Sequence, residues 1–225
     1  MLVSLPWAAG LFRRVAHRPA AYLNILLTLL AFVHGSLILQ EVFQSGPVDL
    51  SYPWLTVADL ELDISFSLSL TNLVALELIT GLSLFSQVYS LGYMDKEWAL
   101  ARFFALLGFF EGAMSGVVLS DSLFQSYFLL EMLTLSTYLL VGFWYAQPLV
   151  ITAARDAFLT KRVGDVLLLM GVVALCSFAG GMGFNDLYAW AATDSLSPLA
   201  ATLLGLGCLL YTSDAADEGL GVDLG

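Results

Sequence analysis

Five charged side chains in this 225-residue sequence stand where charge is hardest to keep. Glu131 lies near the middle of the apolar run Leu123–Tyr145, Glu111 inside Phe103–Leu119, and Glu77 inside Ile64–Leu91. Arg162 and Asp165 lie three apart, where the polar patch Arg155–Asp165 gives way to a further apolar run. Runs of this kind suit a bilayer core, which takes about 20 helical residues. A carboxylate at mid-depth costs on the order of a few kcal/mol or more, and such a group is kept where it has a partner and a task. The chemistry open to it is proton uptake and release. Burial and a neighbouring cation act on a carboxyl in opposite senses, so moving the cation would load or empty it.

Each residue also has a plainer reading. Glu131 could be hydrogen-bonded to a neighbouring helix with no proton traffic. Arg162 and Asp165 lie on one helical face and can pair, and an interfacial ion pair of that sort stabilises little. Glu77 and Glu111 line a polar path or are merely accommodated. Arg155, Asp156 and Lys161 read as surface anchors. The spans hold no lysine, so on sequence alone Glu131 lacks an obvious intramembrane cation. His17 and His34 are isolated, which argues against a metal site. Cys176 and Cys208 read as small packed residues and not as a disulfide or metal framework.

The elements that must carry these groups are helices in a membrane. The chain is 59% hydrophobic and 12% charged, with mean hydropathy +0.85, against about 25% charged residues in soluble domains. The runs Ala20–Leu39, Ile64–Leu91, Phe103–Leu119, Leu123–Tyr145 and Val163–Ala179 read as five complete spans, and Leu196–Leu210 as the start of a sixth. Residues 1–19 read as the end of an earlier helix plus a basic turn, 20–210 as the bundle, and 211–225 as a foreign acidic tail without a base. Arg13, Arg14 and Arg18 follow the first short apolar stretch, the reverse of a signal peptide's order. All eight Lys/Arg fall on alternate connections, at Arg13–Arg18, Lys96–Arg102 and Arg155–Arg162. That is the positive-inside pattern, which puts these connections in the cytoplasm and the acidic Glu41–Asp63 loop on the other side. The tight turn at Asp121 puts Glu111 and Glu131 at similar depth. Phe103, Phe104, Phe109, Phe110, Tyr89 and Tyr93 read as lipid-facing or interfacial. Gly180-Gly181-Met182-Gly183 has neither the strand nor the lysine of a phosphate loop.

Three stretches are specific enough to resemble a known family. They are Ala101-Arg102-Phe103-Phe104-Ala105, Leu130-Glu131-Met132-Leu133-Thr134 through Gly142-Phe143-Trp144-Tyr145, and Ala157-Phe158-Leu159-Thr160-Lys161-Arg162-Val163-Gly164-Asp165. Together they are similar to the largest antiporter-like subunit of complex I, over roughly Leu2 to Cys208. The resemblance implies an all-α, polytopic transmembrane bundle with part of an antiporter-like fold. It implies Glu131 as the proton-transfer residue, paired with a lysine on a broken helix expected beyond Cys208, with Arg162 and Asp165 in the adjoining charge network. It implies a subunit of a proton-translocating NAD(P)H- or ferredoxin-quinone oxidoreductase with no redox centre or metal of its own, the complex using quinone and NAD(P)H or ferredoxin. The implied partners are the other membrane subunits and the lipid bilayer, with no nucleic acid, in a thylakoid or plasma membrane.

Met132–Thr137 and Tyr145–Val150 look like the cyanobacterial carbon-dioxide-uptake variant, which would add a carbonic-anhydrase-like partner. Leu68-Ser69-Leu70-Thr71 stands where the common form has an Asp-Gly-Leu-Ser turn, and Glu77 and Glu111 are extra carboxylates. The rival class is the large subunit of a multisubunit Na+/H+ antiporter, of the same ancestry but driven by a cation gradient.

Overall fold

The computed structural model describes residues 18–57, 60–94, 97, 99–179, 181, 183–193 and 197–211. The readings made for 1–17 and 212–225 lie outside them. The element order is α1 (Arg18–Ser45), β1 (Val48–Val57), β2 (Leu60–Leu68), α2 (Leu70–Tyr93), α3 (Leu100–Leu119), α4 (Leu123–Val141), a 3-10 turn at Gly142–Trp144, α5 (Pro148–Ala179), α6 (Phe184–Ala191) and α7 (Pro198–Tyr211). Among the described residues five helices are long and apolar enough to cross a membrane. The chain is an integral, multi-pass helical membrane protein.

Its interior mixes polar with apolar residues, and many of its large apolar side chains face outward. Leu78, Leu82 and Phe85 on α2 are 61–77% exposed, whereas Thr80 and Gln87 on the same helix are 3% and 0% exposed. Lipid solvates leucine as well as protein does, so packing is driven by small residues and internal polar contacts. Tyr89 and Tyr93 are exposed as expected, but Phe104 is fully buried. Cys176 is buried, while Cys208 is exposed and not a packed residue.

The chain forms two compact units. In the first (Met1–Leu50 and Ser67–Leu119), α1, α2 and α3 pack on one another. The Ser69 hydroxyl caps α2 by accepting from the Asn72 amide at 3.2 Å, and the Asn72 side chain donates to the Ser67 carbonyl at 2.9 Å. A serine at this position satisfies one of the orphan amides of the first turn.

In the second (Ser51–Phe66 and Ser120–Gly225), α5 packs on α4, α6 and α7. Helices α5 and α7 run antiparallel through a glycine seam, with Gly164 against Leu210, Leu168 against Gly207 and Gly171 against Leu204.

Three expectations are corrected here. The acidic Glu41–Asp63 stretch is not a loop. Helix α1 continues through Ser45, and strands β1 and β2 follow as a two-stranded sheet. Its antiparallel register shows in Ser51 donating to Asp63 and Ser67 to Asp49. The second span starts at Leu70, not Ile64, because Ile64–Leu68 belong to β2. The patch Arg155–Arg162 is not a connection before a fifth span. Pro148 opens one 32-residue helix that runs through it to Ala179, a position where proline's missing amide removes nothing.

The seam yields a stability prediction. A Cβ on Gly207 would sit 2.7 Å from the Leu168 amide nitrogen, and one on Gly171 2.8 Å from Leu204 Cγ. Gly207→Val should lower stability by about 1–3 kcal/mol, as overpacking does, read as a drop in the melting midpoint in detergent. Gly205→Ala, where a Cβ meets nothing within 4 Å, should leave the midpoint unchanged.

Candidate functional site

The site of the second unit is built by one turn of α4 facing one turn of α5. Tyr127 precedes Glu131 by four residues, so both side chains lie on one face of α4, and the Tyr127 hydroxyl donates to Glu131 Oε1 at 2.7 Å. The other carboxylate oxygen accepts from Arg162 Nη1 of α5. The same Nη1 lies 3.7 Å from Asp165 Oδ2. Asp165 is 2% exposed, and that Oδ2 has no hydrogen-bond partner. One guanidinium therefore stands between two carboxylates and is bonded to one.

Its direction is fixed by packing. The Arg162 guanidinium carbon lies 4.8 Å from the centroid of the Phe158 ring, one turn earlier on α5, and Phe158 packs against Tyr138 with centroids 4.7 Å apart. A cation over an aromatic face is stabilised by about 0.5–2 kcal/mol. The stacked ring also limits the arc through which the head can swing.

The structure brings together three of the five expected residues, Glu131, Arg162 and Asp165. It also supplies what the sequence reading lacked, a basic partner for Glu131, and that partner is Arg162 itself. The salt bridge expected between Arg162 and Asp165 is the longer of the two contacts. Tyr127 and Phe158 were missed, although their four-residue spacings to Glu131 and Arg162 were readable. Arg155 and Asp156 form an exposed neighbour pair at 2.9 Å, as surface anchors would.

Glu77 and Glu111 lie in the first unit, in contacts of their own. Ser36 of α1 donates to Glu77 Oε2 at 2.9 Å. Glu77 Oε1 is buried against Gly35 without a hydrogen-bond partner, and the absent glycine side chain makes room for it. Glu111 is 7% exposed and accepts from Thr28, Ser83 and Gln87. His34 is exposed, and among the described residues no group of three His, Cys, Asp or Glu could hold a metal.

A part-buried carboxylate–arginine–carboxylate array across two helices long enough to span marks a polytopic membrane protein that keeps charge inside its spanning region. Residues 120–213 match the family described as NADH:quinone oxidoreductase/Mrp antiporter, TM, and residues 54–104 match NADH-Ubiquinone oxidoreductase (complex I), chain 5 N-terminus. Over 93% of its length the chain is 72% identical to NAD(P)H-quinone oxidoreductase subunit 5, organellar chromatophore 2, of Paulinella chromatophora, spanning 34% of that protein. It is 31% identical to the chloroplastic subunit 5 of Hordeum vulgare over 90% of the chain and 28% of that relative. Its fold matches a chain in the structure of the Mrp complex from Dietzia sp. DQ12-45-1b with a TM-score of 0.62, at 17% identity, covering 85% of this chain and 23% of that one. The chain belongs to the complex I subunit 5 family, and spans about a third of the length of these curated relatives.

Removing the arginine would leave Glu131 with Tyr127 alone. In the full-length subunit Arg162→Ala should destabilise by about 2–3 kcal/mol, below the 3–5 of a fully buried pair because the Arg162 side chain is 38% exposed. Adding Glu131→Gln to Arg162→Ala should recover most of that loss. A double-mutant cycle of melting midpoints in detergent checks it, and simple additivity would disprove the coupling.

Proposed function

We propose that the chain is the proton-handling part of a membrane subunit of a type-I NAD(P)H- or ferredoxin-quinone oxidoreductase, with Glu131 as its proton-transfer residue. The observation that carries this reading is the sharing of Arg162 between Glu131 and Asp165. While Arg162 bonds Glu131, the carboxylate stays ionised. When the guanidinium moves the short distance to Asp165 Oδ2, Glu131 keeps only the Tyr127 hydroxyl, and a proton replaces the lost cation. The return of Arg162 expels that proton. A unit-charge pair at 4 Å and an effective dielectric of about 20 is worth about 4 kcal/mol. A displacement of a few ångströms is therefore enough to switch the group.

Quinone reduction elsewhere in the complex supplies the driving force, and the other membrane subunits are the chain's partners. The relatives' chloroplast and chromatophore origin supports a thylakoid-type membrane. The finer reading, a carbon-dioxide-uptake form with a carbonic-anhydrase-like partner, rests on Met132–Thr137 and Tyr145–Val150, with Glu111 and Glu77 as a path for the protons released.

The test is Glu131→Gln in the full-length subunit, within the assembled complex in sealed vesicles. Proton translocation through this subunit should fall by about a hundredfold or more, the scale of a positioned acid–base group, while quinone reduction with an uncoupler present stays at the wild-type level. Undiminished pumping would refute the assignment. Proton exchange that needs sodium but no electron flow would put the Na+/H+ antiporter reading in its place.

A further inference from the structure

The first unit buries a carboxylate whose company differs in kind from that of Glu131. Glu111 Oε2 accepts from Thr28 Oγ1 of α1 at 2.8 Å, and from Ser83 Oγ and Gln87 Nε2 of α2 at 2.9 and 2.8 Å. None of the three donors is a cation, and all of them converge on one oxygen. Gln87 is 0% exposed, and its two sides are used unequally. Its Nε2 reaches Thr28 Oγ1 at 2.8 Å and Ser83 Oγ at 3.3 Å as well as Glu111, although an amide nitrogen has only two hydrogens. Its Oε1 is buried with no hydrogen-bond partner. A buried amide oxygen left bare is destabilising, and one further donor would relieve it. The O–H of a protonated Glu111 becomes such a donor once the amide turns its oxygen toward it.

Glu111 and Thr28 line a cavity of about 500 Å³ between α1, α2 and α3, together with Asn24, Thr80 and Ser115. A water occupies about 30 Å³ of liquid, so this space takes a file of several. The Asn24 side-chain nitrogen, a further cavity-lining donor, is buried without a hydrogen-bond partner.

We propose that Glu111, Thr28, Ser83 and Gln87 form a second proton-binding site, loaded by water from this cavity, in which the Gln87 amide turns over as Glu111 is protonated. In the empty state the amide nitrogen donates to the carboxylate. On loading, a hydronium ion gives its proton to Glu111 Oε2, the oxygen that faces Gln87, and leaves as water. The amide then turns over, its Oε1 taking the place of the nitrogen and accepting the new O–H, and the Thr28 and Ser83 hydroxyls rotate to donate to it. Release reverses each step. Gln87 is a positioning residue that offers a partner to either protonation state.

The titratable groups on the packed helices stand apart from this cluster. On α1, Tyr22, His34 and Glu41 are exposed. On α2, Tyr89 and Tyr93 are exposed and Glu77 bonds Ser36. On α3 itself, Arg102 is nine residues earlier, about 13.5 Å along the axis.

Two measurements on the assembled complex with full-length subunit test the site without reference to Glu131. In pH-difference infrared spectra, a protonated-carboxyl stretching band should titrate and should disappear in Glu111→Gln. It should persist in Glu131→Gln, and its midpoint should move by about one pH unit in Gln87→Leu, a tenfold change in proton affinity. A band unaffected by Glu111→Gln, or a midpoint unmoved by Gln87→Leu, overturns the proposal. Should either variant fail to assemble, the wild-type complex decides. Dicyclohexylcarbodiimide, which attacks protonated carboxyls in apolar surroundings, should modify Glu111 in peptide maps, and less so as pH rises. A Glu111 peptide unmodified at every pH at which the complex is intact overturns it equally.

Discussion

Lipid offers a carboxylate nothing. Every polar atom in the spanning helices must find its partner within the protein, and this constraint decides which faces of the helices meet. On α2 the residues Glu77, Thr80, Ser83, Gln87 and Ser90 recur at intervals of three and four and form one stripe. Leucine and phenylalanine occupy the opposite face and stay exposed. The stripe meets Thr28 and Ser36 of α1 and Glu111 of α3. In the second unit α5 turns Arg162 toward α4 for the same reason. Either lone partner, Glu131 or Arg162, would be stranded in a medium that cannot solvate it.

Small residues let those faces close. At the α5–α7 seam Gly207 sits against the Leu168 backbone, and in the first unit Gly35 leaves the space that the Glu77 carboxylate fills. Close approach lets short side chains such as serine and threonine reach across, where longer ones would lose more rotamer freedom on ordering.

Much of this was legible in the sequence. Hydropathy gives the five spans, and the charged interruptions give Glu77, Glu111, Glu131, Arg162 and Asp165. Boundaries failed where hydropathy and backbone conformation part company. Leu60-Glu61-Leu62-Asp63-Ile64-Ser65-Phe66-Ser67-Leu68 alternates strictly, the signature of a strand. Its apolar half merged with the following helix because a hydropathy window averages over the alternation. The Arg155–Arg162 patch reads as a connection because it is polar, yet alanine, leucine, lysine and arginine are strong helix formers, and the helix runs straight through it. The sequence places Arg162 at a helix start facing Asp165, and spacing within one helix cannot show that the same side chain reaches Glu131 on α4. Gln87 escaped notice for another reason: a scan for buried charge passes over a neutral amide.

The two carboxylate sites solve the same problem in different ways, and the difference bears on what each can respond to. Glu131 is neutralised by a cation on a flexible stem with a second carboxylate in reach. On the proposed mechanism a proton at Glu131 would be coupled to movement of Arg162. Glu111 is held by three neutral donors, two of them hydroxyls that donate or accept by rotating about one bond. No ion among those partners has to move for its proton to come or go. The chain thus neutralises the same residue type in two ways, one acid by an arginine and the other by neutral hydrogen-bond donors.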